Sequence, residues 1–258
     1  MLIVLSPAKK LVPGPDVTAR SQSDSPLIDQ AQTLVENLRG YSQEDLQGLM
    51  GISEKLAGLN HERFGSFVTP FNDTNASPAA HTFAGDVYVG LDAGSLSDKD
   101  LTWSQDRVAI LSGLYGVLRP LDRMQPYRLE MGTKLPNVRG KNLYEFWGER
   151  ITDVLNERLE RHADRTLVNL ASQEYFKAVR PKRLAGEVIT PVFQEVRDGK
   201  AKTISFLAKK ARGLMTRFAI QERLKDPAGL KGFDVAGYQF HEDLSSDTKW
   251  VFRRPYPN

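Results

Sequence analysis

Apolar residues recur along the chain either in continuous runs or in helical stripes. The continuous runs Leu2–Ser6 and Thr166–Ala171 predict buried strands. In Leu27–Leu38 the apolar residues stand three or four positions apart, which predicts an amphipathic helix. The same spacing over shorter segments predicts helices at Gln43–Met50 and Ser53–Phe64.

The C-terminal half continues this mixture of helices and strands. Helical spacing predicts one long helix over Leu143–Arg161 and another over Ala208–Leu224. The dipeptide Asp198-Gly199 favours positive φ and predicts a hairpin between strands at Val188–Val196 and Lys202–Leu207. Two further late strands are predicted, at Tyr238–Phe240 and Trp250–Phe252.

Prolines, glycines and small polar residues mark the irregular segments. They predict surface loops over Leu11–Pro26 and Val68–Pro78, and turns between residues 113 and 132. Asp86–Leu91 is predicted as an edge strand or turn, and Ser97–Leu118 is predicted to contain one or two helices. Because strands and helices mix without a regular βαβ alternation, the sequence predicts a mixed α/β fold.

The length fits one compact domain. The chain has 258 residues, of which 40% are hydrophobic and 26% charged, an ordinary globular composition. It shows no internal repeat and no linker long enough to separate two domains. We expect residues 1–254 to form a single domain that includes a helical hairpin at about 43–64, followed by a tail over 255–258.

The composition also bears on chemistry and location. There is no cysteine, which excludes disulfides, thiolate nucleophiles and iron–sulfur ligation. No apolar stretch approaches the ~18 residues that a membrane span requires. The apolar run at the start is too short for a signal peptide and has no basic residue before it. We therefore expect a cytoplasmic protein.

Positive and negative charges are separated along the sequence. The net charge is only +3, yet residues 14–100 carry 5 Lys/Arg against 13 Asp/Glu, and residues 177–225 carry 13 against 4. A segment this basic favours a local field for anions. The alternative is that the acidic part folds over the basic part and neutralises it.

The predicted helix Ala208–Leu224 carries the clearest candidate chemistry. No carboxylate occurs between positions 208 and 221, so its cations have no ion-pair partner within the helix. Gly213 lies among them, where a missing side chain permits close approach of a phosphate or of another backbone. This pattern favours an anion-binding face over an ordinary surface helix. Its cations are Lys209, Lys210, Arg212 and Arg217.

A second candidate is the corner between the two short predicted helices. The segment Leu49–Ala57 resembles the helix-hairpin-helix element of DNA-binding proteins, with Gly51 in the turn and Ser53 as the cap of the second helix. In such hairpins the backbone N–H groups at the start of the second helix bind a phosphate, and Lys55 is placed to assist. Residues 40–63 hold two basic residues against four acidic ones, so the segment taken alone favours a plain helical corner over a phosphate-binding hairpin.

Further polar residues follow the predicted strands. The segment Ser6–Lys10 follows a buried strand, which is a common place for ligands in α/β proteins and equally for a solvated lysine pair. Charged residues also crowd the irregular segment 119–130 and the helix start at 174–177. The candidates for proton transfer are Ser6, Glu130 and Glu174, and the additional candidate ligands for phosphate are Lys9, Lys10, Arg128 and Lys177.

Familiar cofactor and metal motifs are absent from the sequence. The histidines have no ligand spacing, and no glycine-rich nucleotide-binding loop or nucleophile elbow occurs. We therefore predict neither a metal site nor a cofactor. The histidines in question are His61, His81, His162 and His241.

Several sequence blocks together resemble the YaaA family of bacterial peroxide-stress proteins. The similarity runs in order over nearly the whole chain. Its blocks include Leu5-Ser6-Pro7-Ala8-Lys9, Gly85-Asp86-Val87-Tyr88, Leu114-Tyr115-Gly116-Val117-Leu118-Arg119-Pro120, Gln125-Pro126-Tyr127-Arg128, Asn169-Leu170-Ala171-Ser172, Glu174-Tyr175-Phe176-Lys177 and Ala208-Lys209-Lys210-Ala211-Arg212-Gly213.

The resemblance implies a cytoplasmic protein that protects against hydrogen peroxide, partly by limiting damage from free iron. It also implies a compact mixed α/β fold of its own type, a positively charged cleft, a helix-hairpin-helix-like element and DNA binding. Carried onto this chain, the element is Leu49–Ala57, and the cleft takes its charge from the basic residues of 209–217 together with Lys9 and Lys177. The hairpin here is acidic overall, which departs from what a phosphate-binding element needs.

Three functions remain open from the sequence. The leading hypothesis is the binding of duplex DNA, with little sequence preference and without catalysis. The rival is an enzyme that acts on a small anionic or nucleotide-like substrate in the same cleft. An open groove would favour DNA, and an enclosed pocket of about 300–1,000 Å³ would favour an enzyme. Direct iron sequestration is the least favoured, because no His/carboxylate cluster is evident.

Overall fold

The fold is organised around one large, mostly parallel β-sheet. The computed structural model describes residues 1–12 and 22–257 of the chain. Its strands are β1 Leu2–Leu5, β2 Ser77–Pro78, β3 Val108–Ser112, β4 Gly116–Leu118, β5 Arg123–Met124, β6 Leu167–Leu170, β7 Val188–Arg197, β8 Lys200–Lys202, β9 Gln239–His241 and β10 Lys249–Pro255.

Strands β3, β1, β6, β7 and β10 lie side by side in that order and are all parallel. The antiparallel strands β4 and β9 close the two ends of the sheet, and β8 pairs with β7. Strands β2 and β5 form a separate two-stranded ribbon. Every residue of β1 and β6 is buried, as the continuous apolar runs predict for the middle of a parallel sheet.

The helices connect these strands and cover the sheet. Helix α6 packs on β1 and β3, and α10 packs on β7 and on α5. The helices are α1 Ile28–Arg39, α2 Gln43–Met50, α3 Glu54–Ser66, α4 Ala79–Thr82, α5 Asp86–Leu91, α6 Asp98–Arg107, α7 Leu143–Trp147, α8 Arg150–Leu159, α9 Gln173–Phe176 and α10 Ser205–Gln221. The predicted mixed α/β class is confirmed, with more parallel order in the sheet than the irregular succession of elements suggested.

Two predicted elements are wrong in kind or extent. Asp86–Leu91 is a helix rather than a strand or turn. The segment Ser97–Leu118 does contain one helix, α6, and its second half forms β3 and β4. The long helix predicted over Leu143–Arg161 is two helices, because Gly148 adopts φ +53° between them.

Other predicted segments agree with the structure or lie outside it. Asp198 and Gly199 both have positive φ in the predicted hairpin. Strand β8 ends at Lys202, earlier than predicted, and α10 begins at Ser205. The predicted loop over Leu11–Pro26 falls largely on residues 13–21, outside the described residues, as does Asn258 of the predicted tail.

The two helices of the predicted hairpin are α2 and α3, which meet at a tight turn. Gly51 ends α2 with φ +60°, a left-handed conformation that favours glycine. Ser53 caps α3 by accepting a hydrogen bond from the backbone N–H of Leu56. The turn therefore has the local geometry expected from its sequence.

Candidate functional site

A large concave feature lies where parallel strands end. We call this cavity of about 590 Å³ the strand-end pocket. Such edges collect the loops of several strands and are the usual ligand site of parallel sheets. Its wall comes from the residues after β1, the start of α5, the segment 127–130, the residues after β6, and α10: Ser6, Pro7, Ala8, Lys9, Lys10, Ala84, Gly85, Asp86, Val87, Tyr88, Tyr127, Arg128, Leu129, Glu130, Ser172, Glu174, Tyr175, Lys209 and Arg212.

Ser6 joins the ends of β1 and β6. Its Oγ accepts a hydrogen bond of 2.8 Å from the Ser172 backbone N–H and lies 3.3 Å from Ser172 Oγ, to which it donates. Its carbonyl accepts a hydrogen bond of 2.9 Å from the Tyr88 hydroxyl. These partners include no carboxylate or imidazole, so the geometry supplies Ser6 with no base and suits it to holding the pocket wall together.

Glu130 is the most strongly paired acidic group of the pocket. Lys9 Nζ lies 2.8 Å from its Oε2, and an Arg128 Nη donates to its Oε1 at 2.9 Å. The Nε of Arg128 is buried and has no hydrogen-bond partner. One carboxylate thus neutralises part of the charge of two of the predicted phosphate ligands.

Glu174 lies across the pocket at the start of α9. Its Oε1 accepts a hydrogen bond of 2.9 Å from the Gly132 backbone N–H. Its backbone carbonyl accepts another from the Tyr144 hydroxyl at 2.9 Å. Glu174 forms no ion pair with the described residues, so one carboxylate oxygen is free to accept a proton or to repel an anion.

Three cations of the pocket have no ion-pair partner in the described part of the chain: Lys10, Lys209 and Arg212. Lys10 and Lys209 are exposed, whereas Arg212 is partly buried. Burial lowers the pKa of Arg212 from its usual 12.5, but a guanidinium stays protonated at neutral pH. The exposed Asp86 is the remaining acidic group of the wall, so the unpaired cations outnumber the carboxylates that lack an ion pair, which are Asp86 and Glu174.

The tyrosines of the pocket were not predicted as site residues. Tyr88, Tyr127 and Tyr175 line its wall, and the Tyr127 hydroxyl lies 2.6 Å from Ser112 Oγ. Burial raises the pKa of all three phenols above the usual value, so they remain neutral. Their signal in the sequence is weak, since a tyrosine beside apolar residues is as typical of a core as of a site. They add aromatic surface to a charged pocket.

The other predicted cations lie outside the pocket wall. The exposed Lys177 places its Nζ 4.9 Å from the centre of the Tyr144 ring. Arg217 donates to the carbonyls of Leu91 and Asp92 at 3.0 and 2.8 Å and lies 3.6 Å from the Asp92 carboxylate. That network fastens α10 to the end of α5. Lys210 is exposed on α10, beside the pocket rather than in its wall.

Gly213 serves the packing of two helices. A Cβ built on it would lie 1.8 Å from the Val87 carbonyl oxygen, and one built on Gly90 would lie 2.2 Å from the Lys210 carbonyl oxygen. Of the two uses predicted for this glycine, close approach of another backbone is the one that the structure shows. The contact holds α5 against α10 and so brings both helices to the pocket wall.

The predicted hairpin is a separate feature. Gly51, Ser53 and Lys55 are not among the residues that line the strand-end pocket. Helix α3 packs on α1 and α2, and Arg39 of α1 donates hydrogen bonds to the carbonyls of Phe64 and Phe67. Any ligand that contacts both the hairpin and the pocket must extend over the surface between them.

Metal binding and membrane insertion have no counterpart in the described residues. Within residues 1–12 and 22–257, no group of three His, Asp or Glu side chains converges as metal ligands would. No helix in the same ranges has both the length and the apolar character needed to cross a bilayer.

Comparison with known proteins places the chain in a family. The model of the family described as "Peroxide stress protein YaaA" matches residues 1–244. The chain belongs to the YaaA family of peroxide stress proteins. Among its relatives, a UPF0246 protein of Idiomarina loihiensis is 54% identical over 254 residues, covering 98% of each chain. UPF0246 proteins of Saccharophagus degradans and Alcanivorax borkumensis are 52% and 54% identical, and the matches cover 98–99% of this chain and 99% of each relative. The YaaA resemblance of the sequence is therefore confirmed.

Proposed function

We propose that this protein binds DNA during the cytoplasmic response to hydrogen peroxide, through phosphate contacts at the strand-end pocket. The observation that supports the proposal is the convergence of Lys10, Lys209 and Arg212 on one pocket, with no ion-pair partner for any of them among the described residues. Lys10 follows β1 and the other two come from α10, so the fold gathers cations that are about 200 residues apart in sequence. Membership of a peroxide-stress family supports the physiological role.

The chemistry of these cations suits phosphate without reading bases. A guanidinium can donate two parallel hydrogen bonds to one phosphate, and lysines add point charge. Such contacts fix a nucleic acid by its backbone and carry little sequence information. Binding driven in this way weakens steeply as salt is added, because the release of counterions from the DNA gains less free energy at higher salt concentration. DNA binding here is therefore expected to be non-catalytic and broadly tolerant of sequence.

The helical hairpin is the second proposed contact. The backbone N–H groups at the start of α3 and the exposed Lys55 would hold a phosphate, and the cap at Ser53 keeps the turn in place. Glu44, Asp45 and Glu54 surround that turn in sequence and oppose an anion. The hairpin is therefore expected to contribute less binding energy than the pocket.

The experiment compares DNA affinity in charge variants by fluorescence anisotropy with a labelled duplex. Combined Lys209→Ala and Arg212→Ala should weaken binding by about tenfold or more, equally for unrelated sequences. The matched control is Lys200→Ala with Lys202→Ala, which removes two exposed cations from the β7–β8 hairpin. Lys55→Ala should weaken binding by a smaller factor. Equal losses in the pocket variant and the control would contradict the proposal.

The volume of the pocket supports a second candidate function. About 590 Å³ lies within the range of enclosed small-molecule sites. In this alternative the cations hold the phosphate of a nucleotide-like substrate, the tyrosines face its base, and Glu130 or Glu174 transfers a proton. Glu174 is the better placed of the two for proton transfer, because Glu130 already neutralises Lys9 and Arg128.

Calorimetry with the four deoxynucleoside 5′-monophosphates separates the two candidates. Binding that is lost in Lys209→Ala with Arg212→Ala, together with mass-spectrometric detection of a product that Glu174→Gln abolishes, would establish the enzyme. Absence of both binding and product would reject this second candidate and leave DNA binding to be judged by its own titration.

A further inference from the structure

A second, smaller cavity lies beside the amino end of β3, at the opposite end of the parallel strands from the strand-end pocket. We call this cavity of about 290 Å³ the arginine cavity. Four arginines line it, from the end of α6, the residue after β4, and the end of α8. The lining consists of Asp24, Pro26, Gln105, Asp106, Arg107, Val117, Arg119, Val154, Glu157, Arg158, Arg161 and His162.

Arg158 lines this cavity and holds a hydrogen-bond donor that no described residue uses. One of its terminal nitrogens, Nη2, donates to the carbonyls of Gln105 and Val108 at 2.8 and 2.9 Å. The other, Nη1, is buried and has no partner among residues 1–12 and 22–257. Burial lowers the pKa of Arg158 to about 10, so the group still carries its charge at neutral pH. A buried, charged donor without an acceptor is costly and calls for an explanation.

His162 lines the same cavity and holds a second unpartnered atom. The residue is only 7% exposed, and its buried Nδ1 has no hydrogen-bond partner in the described part of the chain. Burial lowers the pKa of His162 to about 4, and the charges of Arg107, the chain N-terminus and Arg158 act in the same direction. The imidazole is therefore neutral at pH 7, and its Nδ1 can carry the proton and donate it to an acceptor.

The charges around the cavity favour an anion near Arg158 and His162. Arg119 is paired with Asp122 at 3.0 Å, and Asp24 with Arg123 at 2.8 Å. Arg158 and Arg161 have no carboxylate partner among the described residues. The unpaired carboxylates Asp106 and Glu157 are exposed, so water screens them more strongly than the buried guanidinium. Arg107 adds a further positive charge beside His162.

We propose that the arginine cavity is a binding site for a small oxyanion, a phosphate or carboxylate group held by Arg158 Nη1, Arg161 and His162. The group supplies the acceptor oxygens that both unpartnered buried atoms lack. The site is separate from the strand-end pocket, shares no residue with it, and does not depend on the function proposed for that pocket.

The test uses inorganic phosphate, with sodium acetate as a second arm that distinguishes a phosphate from a carboxylate. The protein has four histidines, so the His162 imidazole signals can be assigned by NMR from a His162→Asn variant. Binding of either anion should shift those signals and raise the pKa of His162, because a nearby negative charge favours the imidazolium. If neither anion moves the His162 signals, the proposal is wrong.

Calorimetry then identifies the arginine that takes part. It is carried out on the Lys209→Ala, Arg212→Ala background, so that anions bound at the strand-end pocket do not contribute. Arg161→Gln removes an exposed group that makes no hydrogen bond or ion pair within the described chain, so the fold should persist. We expect it to weaken phosphate or acetate binding by about tenfold, the usual value of one charge-assisted hydrogen bond. The control is Arg165→Gln, which changes an exposed arginine outside the cavity and should leave the affinity for the anion unchanged. Equal affinities in the two variants would show that Arg161 does not contact the anion.

Discussion

Lys9 Nζ lies 2.8 Å from Glu130 Oε2, and this ion pair ties the segment after β1 to the segment 127–130 across the strand-end pocket. Arg128 shares the same carboxylate at 2.9 Å. Two of the cations predicted to bind phosphate are therefore partly neutralised by a residue predicted to transfer protons. What remains available to an anion is the set Lys10, Lys209 and Arg212, which form no ion pair with residues 1–12 or 22–257.

Glu130→Gln should strengthen DNA binding. The substitution removes a negative charge from the pocket and leaves Lys9 and Arg128 free to contact phosphate, so affinity should rise by roughly threefold to tenfold. The measurement is the dissociation constant of a labelled duplex by anisotropy. Glu36→Gln, which removes an exposed carboxylate on α1, is the control and should change little. Weaker binding by Glu130→Gln would mean that the ion pair shapes the site rather than competes for it.

Gly213→Ala should destabilise the fold. The new Cβ would lie 1.8 Å from the Val87 carbonyl oxygen, so α5 and α10 must move apart. Overpacking of this kind costs roughly 1–3 kcal/mol in the free energy of unfolding, which urea denaturation measures.

Gly48→Ala is the matched control for this prediction. Gly48 lies inside α2, and a Cβ built on it meets nothing within 4 Å. Alanine there should stabilise the protein by about 0.5–1 kcal/mol, because it favours the helix. A Gly213→Ala protein as stable as the wild type would show that the contact between the two helices is loose.

This contact also explains why Asp86–Leu91 was predicted wrongly. Val87, Val89 and Leu91 alternate with other residues, as a strand requires. The segment is helical in the structure because Gly90 and Gly213 let two backbones meet, a tertiary interaction that local spacing does not reveal. By contrast, β1 and β6 were predictable, since a fully buried parallel strand leaves a continuous apolar run.

Most charged members of the candidate site were predictable from the sequence, but its tyrosines and its ion pairs were not. Residues after β1 and after β6 meet because parallel strands end at the same edge, and both segments were predicted as ligand positions. The sequence could not show that Glu130 pairs with Lys9, or that Arg217 binds the end of α5 instead of facing the pocket. Those contacts depend on the positions of segments more than 100 residues apart.

Acid should destabilise the protein through His162. Its folded-state pKa of about 4 lies below the ordinary value of 6.5, so the unfolded state binds a proton first as the pH falls. The contribution of neutral His162 to the free energy of unfolding is fully present above about pH 6.5. It is lost progressively as the pH falls to 4, by about 3 kcal/mol in total.

The measurement is the free energy of unfolding between pH 7 and pH 4.5 in buffers without phosphate or carboxylate. His162→Gln should show a flatter pH dependence than the wild type over this range. The exposed His61→Gln is the control and should keep the wild-type slope. Parallel curves for the wild type and His162→Gln would contradict the assignment.

The salt dependence of DNA binding tests the central claim most directly. For the wild type and for the triple variant Lys10→Ala, Lys209→Ala, Arg212→Ala, the association constant for DNA is measured at several salt concentrations. The observable is the slope of the logarithm of that constant against the logarithm of the salt concentration. If the three cations each contact a phosphate, the triple variant should lose about 2.7 from the magnitude of that slope. A slope unchanged from the wild type would show that these cations do not contact phosphate.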